Sequence, residues 1–180
     1  DFEEFLRRRG LEAAYYNLYD SYVLDLTRTS VPIPNPPTFP TQSLAVFDHI
    51  AGESTTGFPP GSTPVTGTHF QYGALPGGIG EKKWQLDQVY NARNNRLVIQ
   101  YSGSDSPQQF ALELKDSSGN VLHKVLVTVP ASPNKVQTLV FALPDIAALQ
   151  TVTEILFRVN QNTSGDTSGD FFIHAIDFQR

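Results

Sequence analysis

At 180 residues the chain is long enough for one well-buried core and too short for two ordinary domains. Its composition is globular, 39% hydrophobic and 17% charged with a net charge of −5; with no basic block beyond Arg7-Arg8-Arg9, a phosphate-tracking nucleic-acid surface is excluded. The absence of Cys removes disulfides, thiolate metal sites and Cys nucleophiles, and no apolar run reaches the ~18–20 residues of a membrane span.

Residues 1–30 read as a helical segment. Leu11, Tyr15, Leu18, Tyr22 and Leu26 recur at spacings of 4, 3, 4 and 4, which places them on one helix face that something must cover. The cover is the β-region, a partner chain or a preceding domain whose tail this segment forms. Residues 31–42 follow as a connector: Val31 to Pro40 hold five of the 13 prolines, and proline fixes φ and removes the amide donor. With no Met and Asp1 first, the chain reads as a processed protein or as an excerpt from a longer one.

Residues 43–180 alternate short apolar runs with turn residues, the rhythm of an all-β sandwich. Strands are predicted near 44–50, 68–75, 83–90, 96–102, 109–115, 121–129, 136–143, 153–160 and 171–178. Asn94-Asn95 suits a tight reversal, Asp116 to Asn120 a hairpin loop, and 145–151 one short helical turn. Residues 51–67, rich in Gly, Pro, Ser and Thr, are expected to form a long loop, and Gly77-Gly78-Ile79-Gly80 a turn. Residues 163–170 repeat Thr-Ser-Gly-Asp, which suits a flexible polar turn or an aspartate-lined cation loop.

Side chains alternate across a strand, so each strand divides into two faces. Leu97, Ile99, Phe110, Leu112, Leu114, Leu139, Phe141, Ile155, Phe157 and Val159 form the expected core face. The opposite face carries Gln100, Gln109, Glu113, Arg158 and Asn160. These planar donors and acceptors are what sugar hydroxyls require, and a solvated outer sheet face has the same composition. Trp84 shares a face with Leu86 and is expected in the core, whereas loop-flanked Tyr72 and Tyr90 are the candidates for exposed rings. His49, His69, His123 and His174 lie in no nucleophile elbow, zinc motif or phosphate loop. A carboxylate pair such as Asp105 with Glu113 is one of many that 18 acidic residues offer, and no catalytic set follows from it.

The runs Lys82-Lys-Trp-Gln-Leu, Arg96-Leu-Val-Ile-Gln-Tyr-Ser-Gly, Phe110-Ala-Leu-Glu-Leu-Lys-Asp-Ser-Ser-Gly, Val136-Gln-Thr-Leu-Val-Phe-Ala-Leu, Glu154-Ile-Leu-Phe-Arg-Val and Phe171-Phe-Ile-His-Ala-Ile-Asp-Phe together resemble the galactose-binding-like β-jelly rolls. Within these, the chain looks most like carbohydrate-binding modules of family 11 and related types. The resemblance covers 43–180 and implies a two-sheet antiparallel jelly roll whose last strand pairs with its first. It implies a noncatalytic polysaccharide-binding module of a larger enzyme or cell-surface protein, secreted or cell-surface, beside a catalytic domain or partner protein. A glycan would lie across Gln100, Gln109, Glu113, Arg158 and Asn160, with Tyr72 or Tyr90 stacking on a pyranose and Arg158 donating twice to vicinal hydroxyls. The family's closing strand carries two aspartates where this chain has His174 and Ala175, which weakens the transfer of a structural Ca2+ site and leaves Asp48 and Asp177 either as its oxygen ligands or as two surface carboxylates. A protein-interaction or assembly module, built on the same sandwich and the N-terminal helix, is the alternative.

Overall fold

A computed structural model describes residues 43–103, 107–131 and 135–180. The expected helical segment, the proline-rich connector and Asp105 lie outside the described residues.

Among the described residues, ten strands form two antiparallel sheets, a jelly-roll β-sandwich. Sheet I has the order β2 (Ile50–Thr56), β4 (Ile79–Tyr90), β9 (Val152–Asn160), β6 (Gln108–Lys115), β7 (Val121–Val129). Sheet II has β10 (Gly169–Gln179) beside β5 (Arg96–Ser102), with β8 (Gln137–Ala142) beyond; β1 (Leu44–Ala45) and β3 (His69–Tyr72) share the other edge of β10. The expected first-to-last pairing is present as Leu44 opposite Phe178 and Ala45 opposite Asp177.

The sequence expectation of one strand over 44–50 is corrected. A 3-10 turn at Val46–His49 breaks it and carries the chain from sheet II to sheet I. The expected loop beginning at 51 opens instead with β2, which pairs along β4 from Ile50 to Thr56. Few of its residues are apolar, and the strand is held by its backbone ladder at a sheet edge, so periodicity carried no signal. The expected glycine turn is likewise shorter: Pro76–Gly78 reverse the chain, and Ile79 and Gly80 already belong to β4. Gly80 leaves room for the Phe58 ring, since a Cβ there would lie 2.6 Å from Cζ. The short helical turn appears at Ala147–Thr151.

The core lies between the sheets. Leu97, Ile99, Leu112, Leu114, Phe157 and Val159 are fully buried, as alternation predicts. Trp84 is also fully buried, with its ring edge-on to Phe47 at 5.5 Å and to Phe157 at 6.5 Å. Phe157 meets Phe70 at 4.2 Å and Phe110 at 4.8 Å between ring centroids. Leu139 and Phe141 are only half-buried, because among the described residues β8 has a neighbour strand on one side alone.

The Thr-Ser-Gly-Asp repeat is used asymmetrically. Gln161–Ser164 form one helical turn, started by Asn160 Oδ1 accepting from the Asn162 N–H at 3.1 Å. It ends at Gly165, whose φ of 77° suits glycine. Asp166 accepts the Gln109 backbone N–H at 3.0 Å, whereas Asp170 bonds His69 at 2.9 Å. The two aspartates therefore face different partners, and among the described residues they do not assemble into a cation loop.

Candidate functional site on the outer face of sheet I

Register sets the site. Across β4, β9, β6 and β7, Glu81 stands opposite Arg158, Arg158 opposite Ala111, and Ala111 opposite Leu126. The next row is Lys83, Leu156, Glu113 and Lys124. All point away from the core, because their neighbours Lys82, Phe110, Leu112, Val125, Val127, Phe157 and Val159 point into it. Ala111 and Leu156 are nevertheless buried, forming an apolar floor beneath the longer side chains.

Arg158 is the hub of this face. Its Nε donates to Glu81 Oε1 at 2.6 Å and its Nη1 to Glu113 Oε1 at 2.7 Å. Glu113 is only 3% exposed and also faces Lys124 Nζ at 3.7 Å. A buried carboxylate is tolerated when it is paired and hydrogen-bonded, and this one has two cationic neighbours. Among the described residues, Arg158 Nη2 bonds to no protein group. A short distance along the face, Glu154 faces Lys83 at 3.4 Å and Lys115 at 3.9 Å.

Two open depressions meet at Glu81. The larger, about 420 Å³, is walled by Glu81, Gln109, Lys124, Leu126, Arg158 and Asn160. The smaller, about 170 Å³, lies between Ser54, Lys83, Lys115, Glu154 and Leu156. Together they make a shallow groove across the strands, with hydrogen-bonding rims and apolar patches in its bed.

Of the expected site residues, Gln109, Glu113, Arg158 and Asn160 come together here. Gln100 does not. It lies on β5 in sheet II, opposite Thr138 and Ala175, on the far side of the sandwich. The two tyrosines are also corrected, since neither presents a ring to solvent. Tyr72 is 6% exposed, edge-on to Phe58 at 5.3 Å, with Gly169 leaving the space its ring occupies. Burial, and secondarily the charge of Asp166, pushes its phenol well above the ordinary tyrosine range. Tyr90 is 7% exposed, stacked on Phe178 at 4.9 Å, and its hydroxyl accepts from Asn95 Nδ2 at 2.8 Å. Burial raises its pKa, and that hydrogen bond opposes the rise. Carboxylates take one N–H each from Nε and Nη1 of Arg158, and the remaining donors of its five, including both on Nη2, bond to none of the described residues.

Glu81, Lys83, Lys124 and Leu126 complete the face without having been singled out in sequence. A second feature missed there lies on sheet II. Phe172, 40% exposed, stacks on His69 at 4.1 Å, with His174 on the same strand at 6.1 Å. His69 is fixed by Asp170 at 2.9 Å, and His174 by Ser102 Oγ at 2.6 Å.

The residues expected to hold Ca2+ are neighbours. Burial raises the pKa of Asp177, and the charge of Asp48 adds to the rise. Two carboxylates fall short of the six to eight oxygens that Ca2+ takes, and the described residues hold no cluster of three or more metal-ligating side chains. Because the folded pKa of Asp177 is raised, its contribution to stability is fully present below the unfolded value near 3.9 and is lost as pH rises through the folded value. Asp177→Asn is therefore expected to raise Tm at pH 7 and to leave it nearly unchanged at pH 3. Thermal melts across that range check this, and a lower Tm for the variant at pH 7 would show that the carboxylate serves a cation or donor instead.

No protein-family model matches the chain, and no curated protein matches it in sequence. Solved structures do. The agarase AgWH50C matches with a TM-score of 0.52 at 11% identity over 76% of this chain; the chain spans 24% of that enzyme. A family 11 carbohydrate-binding module from Clostridium thermocellum, solved in complex with a β-1,3-1,4-mixed-linked tetrasaccharide, matches with a TM-score of 0.47 at 13% identity, covering 77% of this chain and 87% of its own. A point mutant of CBM29-2, a family 29 carbohydrate-binding module, gives 0.47 at 13% identity, covering 76% and 89%. At these identities the likeness is one of fold.

Proposed function

We propose that residues 43–180 are a noncatalytic carbohydrate-binding module and that the groove on sheet I takes a polysaccharide chain. The observation that carries this reading is the Glu81–Arg158–Glu113 network. It fixes planar donors and acceptors over an apolar floor and leaves Arg158 Nη2 to donate to a ligand. Sugar hydroxyls would exchange with Gln109, Asn160, the carboxylate oxygens and that nitrogen, while Leu126 and Ile79 meet the C–H faces of the rings. Preorganisation matters because each net hydrogen bond contributes only ~0.5–1.5 kcal/mol. The two carboxylates nearest the larger depression are tied to one guanidinium, which positions side chains and does not set an acid apart from a base. In this reading the segment 1–30 and the connector 31–42 link the module to a catalytic domain or partner in a secreted or cell-surface protein. Among the described residues no helix is long and apolar enough to cross a membrane.

A second reading, a protein-interaction module, is favoured by the Phe172 stack on the opposite sheet. Affinity electrophoresis against glucan, xylan, mannan and galactan separates the two. At least one matrix is expected to retard the wild type. Arg158→Ala should weaken that retention about tenfold, the effect of losing a charge-assisted hydrogen bond, and Gln109→Ala about two- to tenfold. Phe172→Ala should leave it unchanged. No retention on any matrix, or loss only with Phe172→Ala, overturns the groove.

A further inference from the structure

We propose that β8 is an interface strand through which two copies of this chain pair edge to edge. An unpaired edge offers a row of backbone donors and acceptors, and folded proteins blunt it with charge, Gly or Pro, bulges or brevity. The other edges here follow that rule. β2 carries Gly52, Glu53 and a register shift, β7 carries Lys124 and a register shift against β6, and β1 and β3 are two and four residues long.

β8 has none of these devices. Its sequence, Gln137-Thr-Leu-Val-Phe-Ala142, holds no charge, no Gly and no Pro. It pairs with β5 without a bulge, from Arg96 opposite Ala142 to Tyr101 opposite Gln137, and among the described residues nothing pairs with its other edge. Both of its faces are under-covered. Val140 is 55% exposed on the outer face, and Leu139 and Phe141 are half-buried at the open margin of the core.

The strand is complementary to itself. A two-fold axis perpendicular to the sheet makes the pair antiparallel and keeps inner faces with inner faces. Residues of the same parity must then oppose each other. Centred on Val140, the register sets Val140 against Val140 of the second copy, Thr138 against Ala142, and Leu139 against Phe141 twice. No like charges meet, the two half-buried residues cover one another, and sheet II continues through both copies. A second copy therefore fits this edge in chemistry and in register.

Sedimentation velocity of the 180-residue chain over a rising concentration series tests the proposal. The wild type is expected to pass from monomer to dimer. Val140→Lys and Val140→Glu each place like charges across the axis and should weaken association at least about tenfold, with melting temperatures unchanged at concentrations where the wild type is monomeric, because the side chain is then largely in water. Mixing the two variants sets Lys against Glu and should restore a dimer. A wild type that stays monomeric overturns the proposal. So does a monomer whose Tm falls when Val140 is charged, since its own chain then covers the strand. Charged variants that dimerise like the wild type, or a mixture that fails to pair, overturn it as well.

Discussion

Phe157→Ala is expected to destabilise the sandwich by about 3–5 kcal/mol, the range for removing a large buried ring whose cavity cannot fully collapse. Phe157 is fully buried on β9, the central strand of sheet I. Its ring lies within 6.5 Å, centroid to centroid, of Phe70, Phe110, Phe171 and Trp84. Phe70 and Phe171 belong to sheet II, so this one side chain joins the two layers. Four rigid rings cannot close over the vacated space without leaving their own rotamers. Against a total stability of ~5–15 kcal/mol the loss is large, and urea denaturation would read it as a lower midpoint at unchanged slope. A loss below about 1.5 kcal/mol would mean that the two sheets pack more loosely here than the ring distances indicate.

Lys82→Ala should cost about 3 kcal/mol, the low end of the range for a broken buried pair. Lys82 has the inward parity of Trp84 on β4 and is fully buried, an unusual place for a cation. It pairs with Glu53 on β2 and donates to the Val65 carbonyl at 3.0 Å. One side chain thus fastens the edge strand and the loop that follows it. Thr55 adds a second tie to that loop through the Pro64 carbonyl at 2.9 Å. Removing Lys82 leaves a carboxylate and a carbonyl without their donor. The cost stays at the low end because Glu53 keeps 27% of its side chain in water. Lys82→Met should cost nearly as much, whereas Lys82→Met with Glu53→Leu should recover most of the loss. A double-mutant cycle showing no coupling between the two positions would refute the tie.

Much of the fold was legible because apolar alternation is strongest in the strands that build the core. Leu97-Val-Ile, Phe110-Ala-Leu-Glu-Leu and Ile155-Leu-Phe-Arg-Val carry the two-residue period, and each buries the face it indicates. β2 was illegible for the converse reason: a backbone ladder leaves no mark on Gly-Glu-Ser-Thr-Thr.

The site was half legible. Alternation tells which side of a strand is outward, and it does not tell which sheet the strand joins. β5 and β6 are consecutive in the chain and lie in opposite sheets, so Gln100 faces away from Gln109 and Glu113 although all three are outward residues. The tyrosines were misplaced by giving weight to flanking loops over parity. Tyr72 shares its face with Phe70, and Tyr90 has the parity of Trp84 and Leu86; all five are buried. Glu81 and Lys124 join the site through cross-strand register with Arg158 and Glu113, an association that exists only once the sheet order is set.

The groove's role is tested most directly by amide chemical shifts of the 15N-labelled chain, titrated with an oligosaccharide of whichever glycan retains it. Saturable shifts are expected, confined to 79–83, 109–113, 124–126 and 156–160, with the amides of 69–72, 100–102 and 170–174 unmoved. Shifts centred on Phe172 and its neighbours, or none anywhere on sheet I, would contradict it.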